Sequence, residues 1–254
     1  HVDRVQGNVV YDNGLVRIDD AQLSIGSGNA KVKGQYVVDT GDFDAVANVH
    51  TLSLDTFTQD LTMPITGTID GEIHVLGKNN QVTDLVGAVQ GHQIGVRGIV
   101  LDSVKADLTH SDNLTNITMV GNMGTGSFSG YGSIQNGQVD ATISGNALPL
   151  TSLSSIIGDD VAGTVSTSIN VKGALDNPNV TGTVWGQEVL YKGAHFNDIH
   201  SDITLDNHVL TITNGHIGDG SGGYDITGWY NINTDALDLN AKARAVRIEN
   251  LIRP

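Results

Sequence analysis

The sequence predicts an all-β protein made of repeated strand hairpins. Apolar and polar residues alternate with a period of two through most of the chain, which is typical of strands with one dry face and one wet face. Glycines also recur at a near-constant spacing: Gly67 and Gly163 are 163 − 67 = 96 residues apart, and so are Gly132 and Gly228. Such a spacing, with small slips at loops, indicates a repeat protein.

The clearest hairpin lies at residues 161–193. One parity carries Val165, Ile169, Val171, Val180 and Val184, and the other carries Ser166, Ser168, Asn170, Thr181 and Thr183. Between the two strands, Asp-Asn-Pro at 176–178 predicts a turn, because proline fixes φ and Asn or Asp side chains bond to their own backbone. The hairpin is therefore apolar on one side only.

The repeat spacing predicts a modular chain. Residues 1–58 form the second half of a module, 59–157 a complete module and 158–254 another. Because residue 1 falls in the middle of the pattern, we expect the chain to be a fragment of a longer one. Strands of about 8–11 residues predict about twenty strands in all. Near residues 148–157, apolar residues recur every three or four positions, which predicts one or two helical turns between modules.

Composition restricts the possible functions. The chain has 28 acidic and 13 basic residues and a net charge of −15. This balance argues against nucleic-acid binding, which needs a basic surface, and against charge-driven docking on anionic lipid. With no cysteine, disulfides and thiolate metal sites are excluded. Only 5% of the residues are aromatic, so Val, Ile, Leu and Ala line the interior.

The sequence contains no recognisable catalytic or metal-binding motif. It has neither a G-x-S-x-G nor an H-E-x-x-H pattern, and its nine histidines form no H-x-H pair with a nearby carboxylate. The Gly- and Asp-rich segment 218–225 is similar to a calcium-binding turn but lacks the tandem nonapeptide period, which favours a hairpin loop. We therefore predict no enzymatic activity, no cofactor and no metal.

The one-sided apolar pattern has two interpretations. The dry faces either pack against each other as the core of a closed sandwich or solenoid, or stay apart so that an apolar ligand fills the gap. Low aromatic content favours the second, because short side chains leave a wide trough unfilled. The predicted lining of this trough is Ile65, Ile69, Ile73, Val75, Val89, Val139, Ile143, Val165, Ile169, Val171, Val180, Val184, Ile226, Leu237 and Leu239.

Two kinds of segment resemble the AsmA-like and TamB family of bacterial envelope proteins. One is the hairpin GALDNPNVTGTV at 173–184. The other is a closing segment of the type L-x-L-x-x-L, present as LSLDTF at 52–57 and LPLTSL at 148–153, each followed by a short apolar segment and then Gly-Thr, with VRIENL at 246–251 as a third. The module at 59–157 departs from the hairpin pattern at 78–81, where Lys-Asn-Asn-Gln replaces the Asn-Pro turn.

The resemblance implies an elongated β-taco, a sheet curled into a U with an apolar inner wall and an open rim. It implies a segment of a periplasm-spanning protein, anchored in the inner membrane by a region outside this sequence, that shields phospholipid acyl chains on their way to the outer membrane. An outer-membrane barrel of the Omp85 type is an implied partner. Two alternatives stay open: an extracellular β-solenoid adhesin or passenger segment, and a periplasmic scaffold for outer-membrane barrel assembly.

Overall fold

The structure is a computed structural model that describes residues 3–58, 64–96, 98–158, 160–218, 220 and 222–245. In these residues the chain forms sixteen strands and a few short helical turns. The strands are β1 Arg4–Asp12, β2 Leu15–Ile25, β3 Gly28–Val37, β4 Asp42–Ser53, β5 Ile65–Lys78, β6 Gln81–Val96, β7 Ile99–Ser111, β8 Leu114–Met123, β9 Gly126–Gln135, β10 Gln138–Pro149, β11 Val161–Ala174, β12 Asn177–Tyr191, β13 Ala194–Asp206, β14 Val209–Gly218, β15 Gly223–Asn231 and β16 Leu237–Arg244. The helical turns are α1 Asp55–Thr58, a 3-10 turn at Leu150–Leu153 and α2 Ser154–Ile157.

Across the described residues, the strands form one antiparallel sheet in which the spatial order equals the chain order. The sheet is open, because the order runs from β1 to β16 without a pairing between them. The predicted all-β fold, its repetitive sheet and the helical turns at 148–157 are thus confirmed. By compactness the chain divides into two units, His1–Gly121 and Asn122–Pro254.

The strands are fewer and longer than the sequence predicted. The described sixteen run from 8 residues in β16 to 16 residues in β6, instead of about twenty strands of about 8–11 residues. The reason is that several strands continue through β-bulges. Pairing between β5 and β6 resumes beyond a shift between Thr66 and Thr68, so the strand continues through the irregularity. Six strands, β5–β10, begin and end within the predicted module 59–157, and β11–β16 within 158–254.

The bulges repeat along the chain with the spacing of the glycines. Thr51 and Ala147 both have left-handed backbones, with φ of 49° and 47°, and lie 147 − 51 = 96 residues apart. Gly67 and Gly163 have φ of 108° and 109° and are also 96 apart. The repeat therefore extends to the backbone conformation of single residues. Each bulge changes the direction in which the following side chains point.

A side-chain acceptor stabilises the bulge at the end of β4 and its counterpart in β10. The Thr51 N–H donates to Oδ1 of Asp70 at 3.1 Å, and the Ala147 N–H donates to Oγ of Ser166 at 3.0 Å. Asp70 and Ser166 are again 166 − 70 = 96 residues apart. Because a bulge leaves a backbone N–H without its ladder partner, each side chain supplies the acceptor that the neighbouring strand does not.

We expect Asp70 to make the stability of the first unit acid-sensitive. The hydrogen bond from the Thr51 N–H lowers the pKa of Asp70 below its usual value of 3.8, with a further contribution from His50. A carboxyl group whose pKa is lower in the folded chain stabilises the fold above the unfolded pKa and loses that effect as the pH falls through the folded pKa. Asp70→Asn should lower the unfolding midpoint at pH 7, and this effect should shrink as the pH falls through the folded pKa of Asp70.

The measurement is the thermal unfolding midpoint of the wild type and Asp70→Asn between pH 7 and pH 2.5. Asp107→Asn, which alters another polar-face carboxylate of the same unit, is the matched control and should shift the midpoint little. A difference between wild type and Asp70→Asn that persists unchanged at pH 2.5 would contradict the role given to the ionised carboxylate.

Candidate functional site

The register of the first unit places its apolar residues on one face of the sheet. Between β4 and β6, Ala45 pairs with Val75 and Val75 with Leu85, while Ala47 pairs with Ile73. Directly paired residues of antiparallel strands point to the same face. The apolar face of the first unit includes Val5, Val9, Tyr11, Val16, Ile18, Ala21, Leu23, Ile25, Ala30, Val32, Tyr36, Phe43, Ala45, Ala47, Val49, Leu52, Ile69, Ile73, Val75, Leu85, Val89, Val104, Ala106 and Leu108, with interspersed glycines and with His110 opposite Leu85.

The second unit has an apolar face built in the same way. Ile143 pairs with Ile169, and Val171 pairs with Val180, so these side chains share a face across neighbouring strands. The face continues to β16, where Leu239 pairs with Gly228. It comprises Phe128, Ile134, Val139, Ala141, Ile143, Val165, Ile169, Val171, Val180, Val184, Ile199, Ile203, Leu205, Leu210, Ile212, Ile217, Tyr224, Ile226, Tyr230, Leu237, Leu239, Ala241 and Ala243.

Fourteen of the fifteen predicted lining residues lie on these two apolar faces. The first unit holds Ile69, Ile73, Val75 and Val89, and the second holds Val139, Ile143, Val165, Ile169, Val171, Val180, Val184, Ile226, Leu237 and Leu239. Ile65 lies opposite Val96, beyond the bulge at Gly67, where the alternation is interrupted. Their role as a lipid lining stays a prediction.

Sequence reasoning left out most of the apolar faces. Ala45, Leu85 and Leu108 belong to the first-unit face but are not among the predicted residues. The same is true of every apolar-face residue of β1–β3. Tyr224 and Tyr230 bring aromatic rings to the second-unit face. The signal that would have found these residues is the period-two alternation itself, continued through each strand and restarted after each bulge.

Most side chains of the apolar faces stay partly exposed, although Ala21, Ala30 and Leu52 of the first unit are buried. None of the fifteen predicted residues is buried; twelve are partly exposed, and Ile143, Leu237 and Leu239 are 37%, 59% and 55% exposed. Among the described residues, no side chain of any type is fully buried. A packed core places its large apolar side chains almost wholly out of contact with water, which these faces do not.

The apolar faces also lack charge. At the positions whose pairing the structure describes, they carry no Asp, Glu, Lys or Arg. The polar side chains on them include Thr167 beside Val184 and His110 opposite Leu85. The Thr167 hydroxyl donates to the carbonyl oxygen of Thr183 at 2.9 Å, so its hydrogen bond is made within the sheet. Most of the surface that a ligand would contact is therefore hydrocarbon.

A small buried cluster covers one end of the second-unit face. Leu150 in the 3-10 turn that follows β10 packs with Val161 and Val189, and the three are 9%, 9% and 5% exposed. Leu153, Val165, Phe196 and Ile199 pack around them. The turn that links β10 to β11 thus seals one side of the apolar face, while the strand centres stay uncovered.

The opposite face of each unit is mostly polar and carries histidine–carboxylate pairs, although Val86 and Trp185 are exposed on it. Nδ1 of His50 lies 2.5 Å from Oδ1 of Asp70, and Nε2 of His74 lies 2.7 Å from Oδ1 of Asp44. Ser111 donates to Asp84 at 2.6 Å, and this hydrogen bond lowers the pKa of Asp84. Exposed pairs of this kind add little stability but favour one register of neighbouring strands.

The described part of the chain contains neither a preformed metal centre nor a membrane-spanning helix. Within the residues that the structure describes, no three His, Cys, Asp or Glu side chains are arranged to hold a metal ion as they stand. No described helix has the length and apolar character needed to cross a membrane.

The chain was also compared with known proteins. No protein-family model matches it, and no curated protein or solved structure is significantly similar to it.

Proposed function

We propose that this chain is a segment of a β-taco protein that shields phospholipid acyl chains on its apolar sheet faces during transport between the inner and outer membranes of a diderm bacterium. The observation that carries this proposal is a largely hydrocarbon surface, most of whose side chains the chain itself leaves partly exposed. The resemblance of the hairpin 173–184 and the closers to the AsmA-like and TamB family supports the same function.

The energetics favour an open apolar face over an enclosed cavity. Removing a 16-carbon acyl chain from water is worth about 0.8 kcal/mol per methylene, or about 12 kcal/mol at most. Enclosing the charged headgroup would cost several kcal/mol or more. An open face retains the favourable free energy of removing the acyl chain from water and leaves the headgroup in water. Similar Val, Ile and Leu residues recur from strand to strand. An acyl chain bound at one strand can therefore move to the next strand at little cost in free energy.

A closed solenoid, as in an adhesin or passenger segment, would use the same residues as a packed core. In that case residues such as Val171, which pairs with Ala141 and Val180, would be buried against an opposing wall. They are partly exposed instead, and so are their neighbours on the same face. The exposure therefore supports the transport function over the solenoid.

Native mass spectrometry of the chain purified from a diderm host tests the proposal. We expect bound phospholipid at more than one molecule per chain, because both units carry an apolar face. The lipid should be lost on extraction with organic solvent and should return when the stripped chain is incubated with phospholipid vesicles. A chain that never carries lipid, at any ratio of vesicles to protein, would contradict the proposed function.

Photocrosslinking in living cells distinguishes the two faces. A photoreactive amino acid at Val180 should form lipid adducts, whereas one at Thr181, which lies on the polar face, should form few. Equal labelling at the two positions would mean that the apolar face is not where lipid binds.

A further inference from the structure

The polar face of the second unit carries a row of aromatic rings that the lipid function does not use. Trp185 on β12 pairs with His200 on β13, and His200 pairs with His216 on β14, so the three side chains share one face on three consecutive strands. The rings of His200 and His216 stack with their centroids 5.3 Å apart. Because neighbouring strands lie about 4.8 Å apart, the row covers about 10 Å of the sheet surface.

The rings of this row are open to solvent. Trp185 is 47% exposed, and the side chains of His200 and His216 are 49% and 34% exposed. On its other side Trp185 pairs with Ser166, a small polar residue. Since removing a large aromatic side chain from water is favourable, the exposed indole offers a ligand a flat apolar surface within polar surroundings.

Polar side chains surround the two histidines in a concave part of the same face. A cavity of about 480 Å³ is lined by Asp198, His200, Asn214, Gly215, His216, Asp225, Ile226 and Thr227. The strand β14 is irregular at this level, since Asn214 has a φ of 49° and the pairing with β13 shifts between His200 and Asp202. Carboxylates accept hydrogen bonds, while amides and hydroxyls both donate and accept them. The cavity thus places hydrogen-bonding groups beside the row of rings.

Hydrogen bonds within the face hold several of these groups in position. Nδ1 of His216 lies 3.3 Å from Oδ1 of Asp225, and Arg244 lies 2.6 Å from the other carboxylate oxygen of Asp225. The hydrogen bond with His216, together with Arg244, lowers the pKa of Asp225 below its usual value. Nδ2 of Asn214 donates to Oδ2 of Asp202 at 2.7 Å. The side chains are therefore ordered before a ligand arrives, which reduces the cost of binding.

We propose that this face binds a neutral oligosaccharide, with Trp185, His200 and His216 as the stacking surface. One face of a pyranose ring presents C–H bonds, which pack on the negative face of an aromatic ring, and its hydroxyls form hydrogen bonds around the edge. A row of about 10 Å has room for two sugar rings side by side. Asp198, which is 57% exposed, and Asn214 lie beside the rings and supply partners for the hydroxyls. The net charge of −15 argues against a nucleic acid, whose bases are the other flat ligand that such rings accept.

Isothermal titration calorimetry of the tag-free chain with cellotriose and with maltotriose at pH 7.5 tests the site. We expect saturable binding of at least one of these trisaccharides, at one molecule per chain. Trp185→Ala should weaken this binding at least tenfold, because it removes the largest ring of the row. His200→Ala, which removes the central ring, should also weaken it and gives an independent measurement.

Trp229→Ala is the matched control. Trp229 is also exposed on the polar face of the second unit, at 39%, but it pairs with Thr211 and Asp238 and not with a histidine. Its replacement should leave trisaccharide binding unchanged, and circular dichroism of each variant verifies that it is folded. The proposal is overturned if neither trisaccharide binds saturably, if Trp229→Ala weakens binding as much as Trp185→Ala, or if oligothymidylate binds more tightly than both trisaccharides.

Discussion

Replacing Ile169 by Asp should strongly weaken lipid binding by the second unit and leave the sheet folded. Ile169 lies at the middle of β11, with Ile143 and Gly182 beside it on the apolar face. An ionised carboxylate placed against hydrocarbon costs several kcal/mol, and each 1.4 kcal/mol is a factor of ten in affinity. We therefore expect phospholipid binding at this unit to weaken by more than about tenfold, measured by native mass spectrometry and vesicle extraction. Val184→Asp should act in the same way.

Ser168→Asp is the matched control, because it introduces the same charge one residue away on the polar face. Ser168 pairs with Ser144 and Thr183 and points away from the apolar residues. We expect it to leave lipid binding unchanged. If Ile169→Asp and Val184→Asp unfold the chain while Ser168→Asp does not, the apolar face is a packed core and the transport function fails.

Gly163→Ala should strongly destabilise the second unit, because the added methyl group meets both backbone strain and a steric clash. Gly163 has a φ of 109°, which L-residues rarely adopt, and a Cβ there would lie 2.6 Å from the carbonyl oxygen of Glu188. Strain of the backbone costs about 1–3 kcal/mol and forced overpacking a similar amount. We expect the free energy of unfolding to fall by about 3 kcal/mol, measured by urea denaturation with the fluorescence of Trp185 and Trp229.

Gly137→Ala separates the loss of stability caused by backbone strain from the loss caused by steric overlap. Gly137 also has a positive φ, 73°, but nothing lies within 4 Å of a Cβ built there. It should cost about 1 kcal/mol, from backbone strain alone. Gly67→Ala, at the equivalent position of the first unit, should match Gly163→Ala, since its Cβ would lie 2.5 Å from the carbonyl oxygen of Gln93. A Gly163→Ala chain as stable as Gly137→Ala would show that the bulge adjusts without cost.

Sequence reasoning reached the fold because its evidence is local and repeated. The alternation of apolar and polar residues on β11 and β12 assigns Ile169 and Val180 to one face without knowledge of their neighbours. The 96-residue spacing of Gly67 and Gly163 likewise reflects a backbone feature that recurs at both positions. Strand lengths were predicted less well, because a bulge shifts the alternation and looks like the end of a strand.

The histidine pair of β13 and β14 shows why contacts between side chains of different strands were not predictable from the sequence. His200 and His216 are 16 residues apart in sequence and fit no short metal motif. They meet only because β13 and β14 pair in one register, and Asp225 joins them from a third strand. Register depends on turns and bulges along both strands, so a motif search along the sequence does not find the group.

By itself, the sequence determined that the chain is a repetitive all-β protein and which residues of each strand are apolar together, because a period of two is a property of the strand alone. The tertiary structure alone decided that the apolar residues of neighbouring strands join into continuous faces and that most side chains of these faces stay partly exposed. Whether an apolar face becomes a core or an open surface depends on what lies opposite it, and no alternation pattern encodes the opposing wall.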